Sequence, residues 1–314
     1  MKHFGMLGVA GYIAPRHLGA IRDNSGVLVA AMDVSDSVGV LDSYFPDCRF
    51  FGEFEYFAEW ILDETFSDRR LDFLIVCSPN HLHVPHVKFA LSNGINVICE
   101  KPLALRTDDL NALKKYEERY SSQVFTILQL RLHPEIISLR RRVSSNKSDH
   151  KYEVDVTYIT SRGDWYLRSW KADDARSGGL ATNIGIHLFD MLHFVFGASI
   201  SSKVYWRDVD TVSGCLEFKD ATVTWLLSID SSLLQYLPVT QGQRTFRNIS
   251  VNGESIEFSG GFTDLHSISY REILDGKGFG VDDSYAAVQT VENIRTCNVS
   301  RRGLGMHPLL EKLK

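Results

Sequence analysis

Two short apolar runs, Phe73–Val76 and Asn96–Cys99, restrict the fold more than any other feature of the chain. Each is too short for a helix and rich in branched or aromatic residues, as in a strand buried on both faces. Ser78, Pro79 and Asn80 break the first run, and His83–Ser92 then reads as a helix. Asn93 and Gly94 close it and suit a left-handed C-terminal cap. The second strand ends on Glu100, Lys101 and Pro102, a charged pair placed where a parallel strand runs out. In open α/β sheets ligands sit just beyond the carboxyl ends of the strands, which gives Lys101 the address of a catalytic residue. Ser78, Pro79, Asn80, His83 and Glu100 are expected on the cofactor side of the same edge.

The same rhythm starts earlier. A strand at Phe4–Leu7 runs into Gly8, Val9, Ala10, Gly11, Tyr12, Ile13 and Ala14, then a helical stretch to about Asn24 with Pro15 in its first turn. Glycines at a strand-to-helix turn let the backbone approach a pyrophosphate, which the helix N-terminus stabilises. Gly8, Gly11, Tyr12 and Ile13 are therefore cofactor candidates, although G-x-x-G-x-x-A is one residue longer than G-x-G-x-x-G. The next strand, Val27–Met32, supports the reading by ending on Asp33. A carboxylate there accepts hydrogen bonds from ribose hydroxyls and repels a 2′-phosphate, favouring NAD over NADP. The alternation continues with a helix over 36–45, a strand at Arg49–Phe51 and a helix over 54–66. A helix over 108–120 capped by Thr107 and a strand over 124–130 complete it. Residues 1–130 thus read as a doubly wound parallel sheet, a dinucleotide-binding Rossmann domain.

After Pro134 a further helix carries Arg140, Arg141 and Arg142, read as a solvated face, and fades into a polar connection over 144–149. From Tyr152 the period becomes two, the mark of half-buried strands. Strands are expected over 152–159, 203–206, 211–218, 221–229, 245–251 and 255–258, and a last helix over 283–299 that can pack back on the first domain. Residues 131–314 therefore read as an α+β domain with a large, mostly antiparallel sheet, for substrate binding and oligomerisation. Within it Arg162, Trp165, Tyr166, Arg168, Trp170 and Lys171 interleave aromatics with cations. Such a segment is either an aromatic cover for the core or a site whose rings stack a base or sugar while its cations meet phosphate or carboxylate. Gln129, on the cofactor side, and Arg131 and His133, on the substrate side, follow the sixth strand; Arg244 and Arg247 add positive charge from the sheet.

Several of these residues fall in register with known motifs. Asp72, Pro79, Asn80, His83, Ala90, Gly94, Val97, Glu100, Lys101 and Pro102 resemble the signature of the glucose-fructose oxidoreductase, inositol dehydrogenase and MocA (Gfo/Idh/MocA) family. Gly178, Gly179, Asn183, Gly185, His187 and Asp190 resemble its second hallmark, G-G-x-x-x-D-x-G-x-H-x-x-D. The resemblance implies an NAD-dependent dehydrogenase in which Lys101 and His187 serve the substrate hydroxyl. Asn183 stands where the inositol-dehydrogenase-like members carry Asp, so it can bind substrate but cannot act as a base. A helix beginning near Thr182 would present Asn183, His187 and Asp190 on one face. The segments around Arg131, Trp165, His187 and 261–266 narrow the resemblance to bacterial UDP-N-acetylglucosaminuronate 3-dehydrogenases, which make sugars for O-antigen lipopolysaccharide. That implies NAD as cofactor, a UDP-linked uronic acid as substrate and a homo-oligomer, dimer or tetramer, built through the C-terminal sheet.

Composition removes other classes. The 314 residues carry 34 Lys and Arg against 39 Asp and Glu, a net charge of -5, which argues against a nucleic-acid partner. No run approaches the roughly 20 apolar residues of a membrane span, and Met1, Lys2 and His3 lead directly into a strand, so neither span nor signal peptide is expected. Five scattered cysteines without C-x-x-C fit a reducing cytoplasm, with Cys77 and Cys99 read as small packing residues. His81, His83 and His86 lack an acidic or cysteine ligand nearby, so no metal is expected. The rival readings are a dehydrogenase of a free sugar or polyol and an NAD-binding regulator without catalysis. The cations weigh against the first, and Lys101 with His187 against the second.

Overall fold

The computed structural model describes residues 1–64, 67–145, 151–256, 264–300 and 306–312. The chain forms two compact units, Met1–Gln129 with Thr263–Tyr285, and Leu130–Phe262 with Ala286–Lys314.

In unit 1 the order is β1 (His3–Leu7), α1 (Ala14–Asp23), β2 (Val27–Met32), α2 (Val40–Tyr44), β3 (Arg49–Phe51) and α3 (Phe54–Asp63). Then come β4 (Phe73–Val76), α4 (His83–Ser92), β5 (Asn96–Cys99), α5 (Thr107–Tyr120) and β6 (Val124–Thr126). The six strands form one parallel sheet in the order β3-β2-β1-β4-β5-β6. Their last residues lie in one register row: Phe51, Met32, Leu7, Val76, Cys99 and Thr126. Asp33, Gly8, Cys77 and Glu100 are therefore each the first residue past the same edge. All four side chains of β4 are buried, and Phe4 stacks on Phe73 with ring centroids 5.5 Å apart. Burying each such side chain contributes about 1.5–3 kcal/mol. Asp72 anchors the start of β4, accepting from Lys2 Nζ at 2.6 Å and the His3 N–H at 2.8 Å.

The differences from the sequence reading have local causes. Asp33 and Ser35 side chains accept the main-chain N–H groups of Ser35 and Ser37, holding a turn where a helix from Asp36 was expected. Thr107 is the first helical residue of α5 rather than its cap; Arg106 occupies the cap position, and its guanidinium reaches Asp108 Oδ2 at 3.3 Å. The strand expected over 124–130 stops at Thr126, because Leu128 N–H turns back to the Thr126 carbonyl; Gln129–Leu132 is a 3-10 turn. The end of the helix expected over 54–66, and parts of the stretches over 144–149, 255–258 and 261–266, lie outside the described residues.

Unit 2 contains α6 (Pro134–Ser145), β7 (Tyr152–Thr160), α7 (Asp164–Leu167), α8 (Asp174–Ser177), α9 (Gly179–Asn183) and α10 (Ile186–Phe196). The strands β8 (Ser199–Arg207), β9 (Thr211–Phe218), β10 (Ala221–Ser228), β11 (Thr245–Val251) and β12 (Glu254–Ile256) complete its sheet. The order is β12-β11-β7-β10-β9-β8, antiparallel except between β7 and β10. Fully buried Trp225 of β10 meets Phe189 of α10 edge-on at 5.2 Å. The single helix expected from Thr182 is two, bent by 50°. Gly185 sits at the break, where a Cβ would lie 2.4 Å from Leu227 and 2.6 Å from the Ala181 carbonyl. Arg140, Arg141 and Arg142 are exposed as expected, with the Arg140 guanidinium also 4.0 Å over the Phe194 ring. After β12 the chain forms α11 (Leu265–Leu274) in unit 1 and α12 (Val281–Thr296), shorter than the helix expected over 283–299. No single described helix is long and apolar enough to cross a membrane.

Buried His307 shares a hydrogen bond with Thr157 Oγ1 at 2.9 Å, while its Nδ1 accepts the Leu309 N–H at 3.2 Å. Burial pushes its pKa down to about 4. An unfolded histidine titrates near 6.5, so below that pH the unfolded chain takes up a proton that the native site refuses. This contribution to stability is complete above about pH 6.5 and is lost as pH falls towards 4. Between pH 7 and 5 the loss from His307 should be on the order of 2 kcal/mol. Urea unfolding at both pH values should show a smaller loss for His307→Gln than for the wild type; equal losses would contradict it.

Candidate active site

Gly8 leaves β1 at φ +88°, a conformation side chains rarely adopt, and a Cβ there would lie 2.6 Å from the Cys77 carbonyl group. The two strand-end turns thus touch along bare backbone. Gly11 N–H donates to the Gly8 carbonyl at 3.1 Å and Ala14 N–H to the Gly11 carbonyl at 3.0 Å, winding the loop into α1. Ile13 is its half-buried N-cap and Tyr12 is 90% exposed. Asp33 Oδ2 accepts the Ala10 N–H at 2.9 Å, tying the end of β2 to the glycine loop. Gln129 is buried and its Oε1 has no partner among the described residues. A backbone cradle at a helix N-terminus, an acid past β2 and an orphaned acceptor fit a dinucleotide.

Beyond β4 and β5, Ser78 Oγ lies 2.9 Å from His86 Nδ1, and Asn80 is buried at the start of a 3-10 turn closed by Leu82 N–H to the Pro79 carbonyl. His83, expected to face the cofactor, is 1% exposed, with its ring nitrogens 2.7 and 2.6 Å from the Ser78 and Pro102 carbonyls. It braces the two loops from within. Lys101 is half-buried and leads into a cis bond to Pro102. Glu100 also turns inward. Its Oε1 lies 3.0 Å from His17 Nε2 and 3.3 Å from His266 Nε2, and its Oε2 accepts the Lys101 N–H at 3.2 Å. Burial pushes the Glu100 carboxyl up, but the two histidines outweigh burial and hold it well below the usual carboxylate range.

In unit 2 the aromatic and cationic segment folds on itself. Buried Tyr166 receives the Asn183 amide on its hydroxyl at 2.8 Å, and burial raises the phenol pKa. Lys171 Nζ lies 5.1 Å over the Trp165 ring and 5.9 Å over Trp170. Burial lowers the Lys171 pKa, and the charge of Arg162 adds to the shift. Neither cation has an ion-pair partner among the described residues, and Arg162 and Arg168 are exposed. His187 lies half-buried in the first turn of α10.

Arg131 was expected among the substrate cations. Its guanidinium is buried against Asp190, with Nη2 to Oδ1 at 2.7 Å and Nε 3.1 Å from both oxygens, so the carboxylate largely neutralises it inside unit 2. His133 is buried, and its Nδ1 accepts the Glu135 N–H at the head of α6. Arg247 lies 4.9 Å over the Tyr158 ring, and exposed Arg244 accepts the Ser161 N–H on its main-chain carbonyl. The sequence reading missed His17 and Tyr270 and gave His266 no role; His17 hides on the buried face of α1, where one polar residue does not disturb an apolar pattern.

Parallel strands ending at a glycine-rich turn, an acid past β2 and a lysine past β5 define a dinucleotide-dependent oxidoreductase. The chain belongs to the Gfo/Idh/MocA oxidoreductase family: residues 2–127 match its NAD-binding Rossmann fold and residues 150–235 its C-terminal alpha/beta domain. Unit 1 is accordingly an NAD-binding domain. The WlbA (WbpB) dehydrogenase from Thermus thermophilus, solved in complex with NAD and UDP-GlcNAcA, is 44% identical, with a TM-score of 0.94 over 98% of this chain and 100% of that one. The WlbA dehydrogenase from Bordetella pertussis, at 19% identity and TM-score 0.74 over 93% of this chain and 94% of that one, shares the fold. Inositol 2-dehydrogenase of Rhizobium meliloti is 25% identical over 62% of this chain and 54% of its own length. The curated relatives are matched over part of their length, 62% for an uncharacterized Rhizobium meliloti oxidoreductase, ORF334.

If Asp33 selects the cofactor, Asp33→Ser should weaken NAD⁺ binding and improve the relative use of NADP⁺. Fluorescence titration with both cofactors checks this; wild-type protein that takes NADP⁺ as readily as NAD⁺ would contradict it.

Proposed function

We propose that this protein oxidises the C3 hydroxyl of UDP-N-acetyl-D-glucosaminuronic acid to the 3-keto nucleotide sugar, with NAD⁺ as oxidant. The observation that carries the reading is Lys171, half-buried over the Trp165 and Trp170 rings beside the like charge of Arg162 and without an ion-pair partner among the described residues. A half-buried cation is stabilised by an anion, and a UDP-linked uronic acid brings phosphate and carboxylate charges together. The 44% likeness to a dehydrogenase solved with UDP-GlcNAcA supports the same substrate.

Bound NAD⁺ supplies the acceptor for the hydride leaving C3. The chain's own residues manage the proton and the orientation. Gly8, Gly11 and Asp33 seat the cofactor in unit 1. Lys101, as the free amine, takes the hydroxyl proton, and His187 shares that proton or orients the oxygen. Asn183 positions substrate together with the Tyr166 hydroxyl it already contacts. The protein works as a cytoplasmic homo-oligomer, a dimer or tetramer through the sheet of unit 2, in making O-antigen sugars.

Lys101→Met should lower turnover by roughly 10²–10⁴, the usual contribution of a general acid or base, with little change in NAD⁺ affinity. Turnover near the wild-type value would remove Lys101 from the chemistry. UDP-N-acetylglucosaminuronate should exceed UDP-N-acetylglucosamine in kcat/KM by roughly 30- to 1000-fold, since the neutral sugar leaves a cation unmatched. Equal rates would refute carboxylate recognition, and activity confined to free polyols would favour the inositol-dehydrogenase-like reading.

A further inference from the structure

Four polar side chains meet in the interior of unit 1. His17 comes from the first turns of α1, Glu100 follows β5, and His266 and Tyr270 lie one turn apart on α11. Tyr270 hydroxyl is 2.7 Å from His17 Nδ1, and His17 Nε2 is 3.0 Å from Glu100 Oε1. His266 Nε2 reaches the same oxygen at 3.3 Å. His17 and Tyr270 are fully buried, His266 is 2% exposed and Glu100 8%. One proton arrangement satisfies all these contacts. Tyr270 O–H donates to His17 Nδ1, both imidazoles donate Nε2–H to Glu100, and the carboxylate accepts throughout.

The arrangement is more than a means of filling space. A buried carboxylate is costly unless donors surround it, and here three converge: two imidazoles and the main-chain N–H of Lys101. His266 Nδ1 is left buried without a partner among the described residues, so the ring serves Glu100 at the expense of its other nitrogen. Helix α11 does not depend on this contact for its attachment. Ser267 Oγ donates to Asp23 at 2.6 Å, Asn24 Nδ2 donates to the Ser267 carbonyl at 3.0 Å, and Ile273 joins the apolar core.

We propose that His17 and His266 are positioning residues for Lys101: they fix one oxygen of Glu100, whose other oxygen holds the Lys101 main chain, so that α11 sets the geometry of the catalytic strand end. The inference rests on Lys101 acting as the base, as argued above. The ligand atoms of His17, Glu100 and His266 lie within 4.8 Å of one another, close enough for a cation. Two donors on a single carboxylate oxygen, with Tyr270 on the far nitrogen of His17, account for the cluster through hydrogen bonds alone.

The test uses the full-length protein carrying His266→Leu, which removes the donor, or His266→Gln, whose amide reaches the place of Nε2. Single-turnover NADH formation from UDP-N-acetylglucosaminuronate is followed beside NAD⁺ affinity and thermal unfolding, with Lys101→Met as reference. Displacing a catalytic group by about 1 Å costs up to ~10²-fold. His266→Leu should therefore slow the single turnover about 10- to 100-fold while NAD⁺ affinity changes less than about 3-fold, and His266→Gln should recover most of the rate. A wild-type rate in His266→Leu, or equal slowing in both variants, overturns the proposal while Lys101→Met remains inactive. An active Lys101→Met overturns the reading beneath it as well. Histidine ¹H–¹⁵N spectra, which need no substrate, should show His17 and His266 with the proton on Nε2. The opposite tautomer at both, or a stoichiometric bound metal by mass spectrometry, would also overturn it.

Discussion

The structure of unit 1 depends on a ladder of main-chain hydrogen bonds carried one residue past the ends of its strands. Gly8 N–H donates to Met32, Cys77 to Leu7, Glu100 to Val76 and Ile127 to Cys99. Each turn out of the sheet is thereby locked to its neighbour before it diverges. Only glycine fits at position 8, because the Cys77 carbonyl lies where a Cβ would be. This places Asp33, the glycine loop and the segment around Lys101 along one edge, on the strands rather than on free loops. A rigid edge of this kind is what a bound dinucleotide and a proton-transferring side chain require.

Charge is handled differently at three places. Glu100 is met by donors from α1, α11 and its own chain, and Arg131 is met by Asp190 between the 3-10 turn at 129–132 and α10. Removing one partner of such a group typically costs about 3–5 kcal/mol, so both are built into the fold. Arg162 and Lys171 are the contrast. Lys171 lies half-buried over the Trp165 ring, burial and the charge of exposed Arg162 disfavour its protonation, and neither cation has an ion-pair partner among the described residues. Under the proposed function, half-buried Lys171 is the cation left for an anion from outside.

Much of this was legible in the sequence, for reasons that can be named. The strands of unit 1 are continuous apolar runs, and their ends carry the motif residues, so β2, β4 and β5 and the helix α4 fall where the pattern puts them. Gly94 adopts the positive φ its position after α4 implies. What stayed hidden was pairing across long sequence distances. Nothing local says that Asp190 faces Arg131, that Glu100 and His83 turn inward, or that His266 from a late helix returns to Glu100. The break at Gly185 was equally invisible, since it follows from contact with Leu227 on a strand formed later in the chain.

The central claim is that hydride leaves C3 of a UDP-linked uronic acid. The most direct measurement is a single turnover of the protein with NAD⁺ and UDP-N-acetylglucosaminuronate deuterated only at C3. The account predicts that the label appears in NADH and that the turnover shows a primary isotope effect. Unlabelled NADH formed at an unchanged rate would contradict it.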